Sequence, residues 1–431
     1  MKAIATALLA CALGCVVDGH AADVSTETVL YSFCSQKHCT DGAVPYASLT
    51  DVKGTLYGTT VAGGTGNCGG ITECGGTVFA LDPKTGAERV IYSFCSKSNC
   101  TDGRGPYSTL VDVNGILYGT TWEGGTGESC VNGCGTVFSL DPNTGAETVL
   151  YSFCSQQNCA DGAIPEAGLI DVNGTMYGTT YEGGTNLYYV YGGGTVFAVS
   201  PATGAETVVY SFCSEQYCPD GLAPVDGLID VKGTFYGTTV AGGINSGGTV
   251  FAIDPKGSES VLYSFCSQQN CADGAGPLSS LLDVKGPLYG TTQMGGASAM
   301  VPCYPYGGCG TVFALDPNTG AETVLYSLCS RQKCKDGELP KGGLIDVDGT
   351  LYGTAQEGGT TRCENHSGCG TAFSIKPETG KEKLLYSFCI DQTCSDGQYP
   401  LATLIDVQGK LYGTTEFGGA YNAGTIFSII P

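Results

Sequence analysis

Residues 168–212 read GLIDVNGTMYGTTYEGGTNLYYVYGGGTVFAVSPATGAETVVYSF, and this stretch decides the fold. GLIDV, from Gly168, predicts a strand. Asn173-Gly174 marks a hairpin turn, because both residues tolerate the positive φ that such turns need. TMYGTT predicts a second strand, and a glycine-rich loop follows it. GTVFAVS predicts a third strand, Pro201 to Gly204 a turn, and ETVVYSF a fourth strand. One unit therefore holds four short antiparallel strands, called a, b, c and d.

The unit recurs along the chain. Tyr-Ser-(Phe/Leu)-Cys begins at Tyr31, Tyr92, Tyr151, Tyr210, Tyr263, Tyr326 and Tyr386, at steps of 53 to 63 residues. Four strands at this period mark a β-propeller blade. A parallel β-helix has a far shorter period, and a linear solenoid carries polar capping repeats at its ends. The ends of the pattern favour a ring. It opens on a lone strand d (Glu27 to Phe33) and closes on strand c (Gly424 to Ile430) with no strand d after it. Pairing the two removes both exposed edges. The expected fold is all-β: a seven-bladed propeller of four-stranded antiparallel blades, with residues 22–431 as one domain.

Composition agrees. Glycine supplies 68 of 431 residues, and charged residues are 14%, against about 25% in an ordinary soluble domain. This excludes a coiled coil or helical bundle and suits strands joined by tight turns. A net charge of −22 repels phosphate backbones, which excludes nucleic acid as a partner.

Lys2, the apolar run Ala3 to Val17 and the small residues around Gly19-His20-Ala21 predict a secretory signal peptide over residues 1–21. The run is too short to span a bilayer as a helix. A lipid anchor at Cys15 is the alternative, although the residues before it depart from the usual lipobox. No later segment reads as a transmembrane helix or C-terminal anchor. The expected location is extracellular or periplasmic, and the expected state a monomer.

Cysteine spacing supports export. Seven pairs have Cys-x4-Cys spacing: Cys34/Cys39, Cys95/Cys100, Cys154/Cys159, Cys213/Cys218, Cys266/Cys271, Cys329/Cys334 and Cys389/Cys394. Four more close a different loop: Cys68/Cys74, Cys130/Cys134, Cys303/Cys309 and Cys363/Cys369. Zinc sites favour Cys-x2-Cys knuckles, often with His, and beyond the leader only His38 and His366 remain. Eleven local disulfides and no metal are expected. Each disulfide contributes about 2 kcal/mol in the loop-entropy account, and together they are expected to pin loops more than to hold the fold.

The recurring GTVFALDP, ETVLYSF, GLIDV and TLYGTT segments resemble the GloVer tandem repeat of secreted bacterial proteins, across all seven copies. The resemblance implies an exported, propeller-like repeat protein, often carrying a sorting anchor. It implies no activity and no catalytic residues. The Cys-x4-Cys insertion after YSF is not part of the usual repeat, and no anchor is visible at the end.

Topology puts the d–a and b–c loops on one face, with every cysteine pair and most of the length variation. That face is the expected functional one. The recurring Asp41, Asp102, Asp161, Asp220, Asp273, Asp336 and Asp396 form a ring of carboxylates there. Such a ring offers oxygen ligands for Ca²⁺, but a repeated Asx-type turn accounts for it without any ion or cofactor. A second ring, Asp51, Asp112, Asp171, Asp230, Asp283, Asp346 and Asp406, precedes the a–b turns on the opposite face and reads as structural.

Residues that break the repeat carry more information. The pair after strand b varies: Val61-Ala62, Trp122-Glu123, Tyr181-Glu182, Val240-Ala241, Gln293-Met294, Gln356-Glu357 and Glu416-Phe417. Tyr188, Tyr189, Tyr191, Tyr304, Tyr306 and Tyr421 add aromatic rings on the b–c loops. Rings beside carboxylates suit sugars, by stacking and by accepting hydroxyl hydrogen bonds, although the same rings could simply plug the channel. The candidate ligand contacts are therefore Trp122, Tyr181, Phe417 and these tyrosines. The leading reading is a binding module for an extracellular glycan or protein. The second is a polysaccharide lyase or glycoside hydrolase using Glu123, Glu182, Glu357 or Glu416 as acid and base. The third is a structural propeller that binds protein along an apolar rim of strands d. No nucleophile elbow, HExxH or phosphate loop is present, so the enzyme reading ranks below binding.

Overall fold

The computed structural model describes residues 25–431, apart from 67–73, 128, 187–190, 298–307, 362, 364–367 and 392. The signal-peptide reading therefore lies outside the described residues. Seven separate four-stranded antiparallel sheets surround one axis. In the third blade, strand a is Ile170–Val172, b is Thr175–Thr180, c is Thr195–Val199 and d is Glu206–Ser211. Strand a is shorter than GLIDV suggested, because Gly168 and Leu169 line the axial cavity instead of pairing. At the a–b turn, Asn173 and Gly174 both have positive φ, 53° and 82°. Asp171 Oδ1 accepts the Gly174 N–H at 2.9 Å, and Asp51, Asp112, Asp230 and Asp283 make the same turn contact.

The ring closes as the sequence suggests. The last blade consists of Ile405–Val407, Lys410–Thr415, Thr425–Ile429 and, as its outer strand, Glu27–Ser32. Glu27 faces Ile429, Val29 faces Phe427 and Ser32 faces Thr425. The Val44 N–H donates to the Ala423 carbonyl at 2.8 Å, carrying the closure into the first blade.

Phenylalanines hold neighbouring blades together. The Phe of Tyr-Ser-Phe-Cys leaves strand d and packs on the strand-c Phe of the next blade. Ring centroids are 5.1 Å apart for Phe33–Phe79, 4.9 Å for Phe153–Phe197 and 4.9 Å for Phe388–Phe427. Leu328 replaces the first ring at one interface, against Phe373. These side chains are fully buried, and each contributes on the order of 2–3 kcal/mol by leaving water. The strand-b glycine makes room for the ring: a Cβ on Gly58 would lie 2.5 Å from Phe79 Cζ.

An acidic belt crosses the same interfaces. The Glu that opens each strand d lies beside the Tyr hydroxyl and buried Asp of the preceding blade, as Glu88 does beside Tyr31 and Asp41. Burial, and next the facing Asp396, push Glu27 up to about 8. Burial, with the preceding blade's Asp adding to it, pushes Glu88, Glu206, Glu259 and Glu322 up to about 7. Glu382 also reaches about 7 by burial, although Arg331 opposes the rise at 2.5 Å. Burial raises Glu147 too, against the pull of Lys97 at 2.9 Å. Oε1 of all seven is buried without a hydrogen-bond partner among the described residues.

No helix among the described residues is long and apolar enough to cross a membrane.

The packing and the belt can each be tested by unfolding. Phe33→Ala should cost about 3–5 kcal/mol and Gly58→Ala about 1–3 kcal/mol by overpacking, both read as a drop in the urea midpoint. The belt acids have folded pKa values raised above the unfolded value of 4.5. Their stabilising contribution is therefore fully present below pH 4.5 and lost as pH rises through about 7 to 8. Melting temperature should fall steadily across that window; a flat profile would contradict the belt.

Candidate functional site

The cysteine-bearing face is built on repeated loop chemistry. After strand d, the chain makes a short turn closed by the Cys-x4-Cys disulfide, with Cα atoms 4.0 Å apart in Cys154–Cys159. Asp161 lies buried beneath it. Its carboxylate accepts the Tyr151 hydroxyl at 2.7 Å, the Ser155 N–H at 2.8 Å and hydroxyl at 2.9 Å, and the Gln156 N–H at 3.2 Å. The same anchor recurs at Asp41, Asp102, Asp220, Asp273, Asp336 and Asp396. Protein N–H and O–H groups thus hold at least one oxygen of each carboxylate, while Oδ1 of Asp220 and of Asp396 is buried without a hydrogen-bond partner among the described residues.

Eleven disulfides were expected, and nine are formed among the described residues. All seven Cys-x4-Cys bridges are present: Cys34 to Cys39, Cys95 to Cys100, Cys154 to Cys159, Cys213 to Cys218, Cys266 to Cys271, Cys329 to Cys334 and Cys389 to Cys394. Of the second type, Cys130 joins Cys134 and Cys363 joins Cys369. The count departs from the expectation at two places. The bridges expected from Cys68 to Cys74 and from Cys303 to Cys309 are not among the nine, because Cys68 and Cys303 lie outside the described residues.

The half-cystines are not confined to the surface. Cys74, Cys218 and Cys271 are buried rather than exposed on loop tips. Cys39 packs against the core cluster of Phe33, Leu56 and Phe79, where the ring closes. These half-cystines therefore fill space beneath the face as well as close loops. The backbone carries a feature that spacing did not reveal: φ is 52° at Cys39, Cys218 and Cys271, so the chain turns left-handed at the second cysteine. The carbonyl exposed by that turn is used at once. Those of Cys39, Cys218 and Cys271 accept the N–H of Gly64, Gly243 and Gly296, which ties the loop leaving strand d of one blade to the b–c loop of the next.

The two disulfide types also stack on each other: the sulfurs of Cys363, Cys369, Cys389 and Cys394 lie within 4.8 Å. Both pairs are bridged, so this cluster offers no thiolate to a metal.

Beyond each Asp-Gly the chain reaches a proline and turns down into strand a. The seven post-proline segments converge on the axis and wall a cavity of about 640 Å³. The residue after proline differs in almost every copy: Tyr46, Tyr107, Glu166, Val225, Leu278, Lys341 and Leu401, all lining the cavity. Tyr46 and Tyr107 meet edge to face at 4.8 Å, and Tyr107 meets Trp122 in the same way at 5.3 Å.

Charges gather around these rings. Burial and the neighbouring Glu182 push Glu166 up to about 7. Burial raises Glu182 as well. Asp226 lines the wall, raised by burial, and accepts the N–H groups of Gly227 and Ser280, each at 2.6 Å. Burial raises Glu416 against the pull of Lys341, and burial lowers Lys341 against Glu416 and Glu357. Burial pushes the Tyr107 hydroxyl up to about 12, with Glu166, Glu416 and Glu123 adding to it. Carboxylates from separate blades therefore act on one pair of tyrosines.

The sequence-derived candidates divide. Tyr181 lines the cavity, and Glu182 and Glu416 act on its charged groups. Trp122 packs against Tyr107, and its indole N–H is buried without a partner among the described residues. Glu123 pairs with Arg104 at 3.3 Å and accepts Asn132 at 3.0 Å. Glu357 lies on the Lys341 side. Phe417 contacts Tyr399 at 6.3 Å. Tyr191 and Tyr421 are 63% and 55% exposed on outer loops, away from the cavity lining. Tyr188, Tyr189, Tyr304 and Tyr306 lie outside the described residues. Sequence reasoning missed Tyr46, Tyr107, Glu166, Asp226 and Lys341. A signal was available for most of them: Tyr46, Tyr107, Glu166 and Lys341 each break the repeat directly after a proline.

The rim reading predicts an apolar patch along strands d. Among the described residues, Val131, Tyr191, Tyr217, Ile244, Ile390, Tyr421 and Ile430 are large, apolar and exposed; the first six lie on cysteine-face loops, and Ile430 follows the last strand c beside the start of strand d.

Fold and site together define a seven-bladed, disulfide-pinned β-propeller with one asymmetric axial pocket. The chain belongs to the Gloeobacter/Verrucomicrobia repeat family, whose sequence model matches residues 12–191 and 189–427. No curated protein matches the sequence. Among solved structures, the chain resembles an oligogalacturonate lyase in complex with manganese, at 11% identity and TM-score 0.50, covering 94% of this chain and 96% of that one. It also resembles an ancestral GH74 enzyme, at 10% identity and TM-score 0.55, covering 91% of this chain and 48% of that one. At such identities the likeness carries the fold alone.

Lys341→Met should raise the pKa of Glu416, because the ammonium that favours its charged form is gone. Carboxyl-carbon NMR titration checks this; an unmoved Glu416 would show that the two groups do not interact.

Proposed function

We propose that this protein is an exported binding module whose ligand, an extracellular oligosaccharide, enters the axial cavity from the cysteine-bearing face. One observation carries the reading: Tyr46, Tyr107 and Trp122 form a contiguous aromatic wall beside Glu166 and Glu182, at a cavity of about 640 Å³. Aromatic rings cover apolar sugar faces while carboxylates accept hydroxyl hydrogen bonds. A rigid ring presents these groups already ordered, which lowers the entropy cost of binding. Export is supported by the leader-like residues 1–21 and by nine formed disulfides. The domain reading of residues 22–431 as one propeller, acting as a monomer, goes with this proposal.

A second reading has one observation behind it. Glu166, held near 7 beside Glu182, has the character of a general acid paired with a second carboxylate. The solved structures similar in fold include a lyase and a GH74 enzyme.

Tyr107→Ala and Trp122→Ala should each weaken oligosaccharide binding by about ten-fold or more, equal to about 1.4 kcal/mol, in isothermal titration against hits from a glycan array. An array with no hit would end the binding reading. Release of new reducing or unsaturated ends from a bound oligosaccharide, lost in Glu166→Gln, would establish the enzyme instead.

A further inference from the structure

We propose that a hard divalent cation, Ca²⁺, binds at one blade interface, between Asp220, Glu215 and the next blade's Glu259. The contrast among the seven copies of the acidic belt identifies the place.

At one interface the protein supplies its own cation. The Tyr92 hydroxyl lies 2.9 Å from Asp102 Oδ2 and 3.2 Å from Glu147 Oε2, so it joins the carboxyls of two blades. Lys97 Nζ lies 2.9 Å from the same Glu147 oxygen, and the Glu147 side chain is 1% exposed. Arg331 pairs with Glu382 in the same way. Lys97 and Arg331 hold one structural position, the second residue after the first cysteine of the Cys-x4-Cys loop. That position is Gln in three copies and an acid in the remaining two, Glu215 and Asp391. Exchanging Lys for Glu removes one positive charge and adds one negative, and a divalent cation offsets both.

The acid copies also differ in their hydrogen bonds. In the other five, the backbone N–H of this position donates to Oδ1 of the buried Asp at 3.1–3.2 Å. Those five loops contain a 3-10 turn, and the loops Cys213–Cys218 and Cys389–Cys394 do not. Asp220 is 7% exposed, and its Oδ1 is buried without a partner among the described residues. Its Oδ2 keeps the Tyr210 hydroxyl and the Ser214 N–H, both at 2.9 Å. Glu259 lies opposite Ile253, as Glu147 lies opposite Leu140, and stands beside Tyr210 and Asp220. Its Oε1 is also buried without a partner among the described residues. Buried acceptors that lack donors are costly. Ca²⁺ takes about 6–8 oxygen ligands at about 2.3–2.6 Å in a flexible geometry, and water completes the set. Asp396 has lost the same Oδ1 bond. There, however, Asp391 turns onto its own loop and accepts the N–H groups of Thr393 and Ser395 at 3.1 and 3.2 Å. The proposal is therefore confined to Asp220.

The test is isothermal titration of the full mature protein with calcium chloride, after EDTA treatment and in a potassium chloride background, alongside thermal melting. The expected result is saturable Ca²⁺ binding, with a melting temperature raised by about 3 °C at about a hundred-fold excess over Kd. Glu215→Lys should abolish this binding and raise the melting temperature in EDTA, because its ammonium takes the place that Lys97 holds beside Glu147. Glu259→Gln should weaken the binding at least about ten-fold. Native protein that binds no Ca²⁺, or melts at the same temperature with and without it, overturns the proposal. Unchanged Ca²⁺ affinity in either variant also overturns it, since the ion would then sit elsewhere on an acidic surface. Glu215 is exposed, so Glu215→Lys leaves the core intact and keeps the test decisive if Glu259→Gln does not fold.

Discussion

Antiparallel pairing of Glu27–Ser32 with Thr425–Ile429 joins the two ends of the repeat array. It places Phe33 on Phe79 in the same step. Everything on the axis depends on that joint. Each blade is too small to bury both its faces alone, so each needs a neighbour on either side. In a closed ring every blade has two. The seven post-proline segments are then held at fixed distances from a common axis, and side chains far apart in sequence, such as Tyr46 and Glu416, come close enough to interact. An open array would leave them on separate units.

The repeated chemistry serves this geometry at every level. In Tyr-Ser-Phe-Cys, the tyrosine hydroxyl holds the buried Asp, the Phe packs into the next blade and the Cys starts the disulfide loop. The next blade's Glu then lies against the same Tyr–Asp pair. A buried carboxyl pair is a costly device. It recurs at every interface because the backbone recurs, and among the described residues two copies carry an ion-paired cation, Lys97 and Arg331. The −22 charge is thus partly internal, and it ties the stability of the ring to proton uptake.

The fold was legible because its signals are local and repeated. Turn residues such as Asn173-Gly174, alternating strands and a missing strand d all survive in a single sequence. The disulfides were legible because each pair is only four to six residues apart in the chain. Their burial was not, since Cys218 and Cys271 are buried at a left-handed backbone turn that no glycine or asparagine advertises at those positions. The pocket was only half legible. The variable pair after strand b stood out against constant neighbours and led to Tyr181, Glu182 and Glu416. Tyr107 and Glu166 were passed over because they lie in a segment without periodicity, between proline and a strand of three residues. Their importance lies in direction toward the axis, which spacing along the chain does not encode. Trp122 drew attention as the single tryptophan, yet its ring supports Tyr107 at the edge of the wall.

A pocket made from seven equivalent positions has a simple logic. The scaffold constrains the residues on either side: proline before, and the buried Leu that leads into strand a after, as Leu49, Leu110 and Leu169 show. The side chain next to the proline is free to change without disturbing a blade. Tyr, Tyr, Glu, Val, Leu, Lys and Leu at one structural position therefore convert a sevenfold frame into an asymmetric cavity. Around the ring, Tyr46, Tyr107 and Glu166 are contiguous at this position, followed by Val225, Leu278, Lys341 and Leu401. The asymmetry is carried by side chains at the axis, outside the strand pairing that closes the ring. Under the proposed binding reading, it gives a ligand one preferred orientation, and that reading places the working surface at the axial mouth.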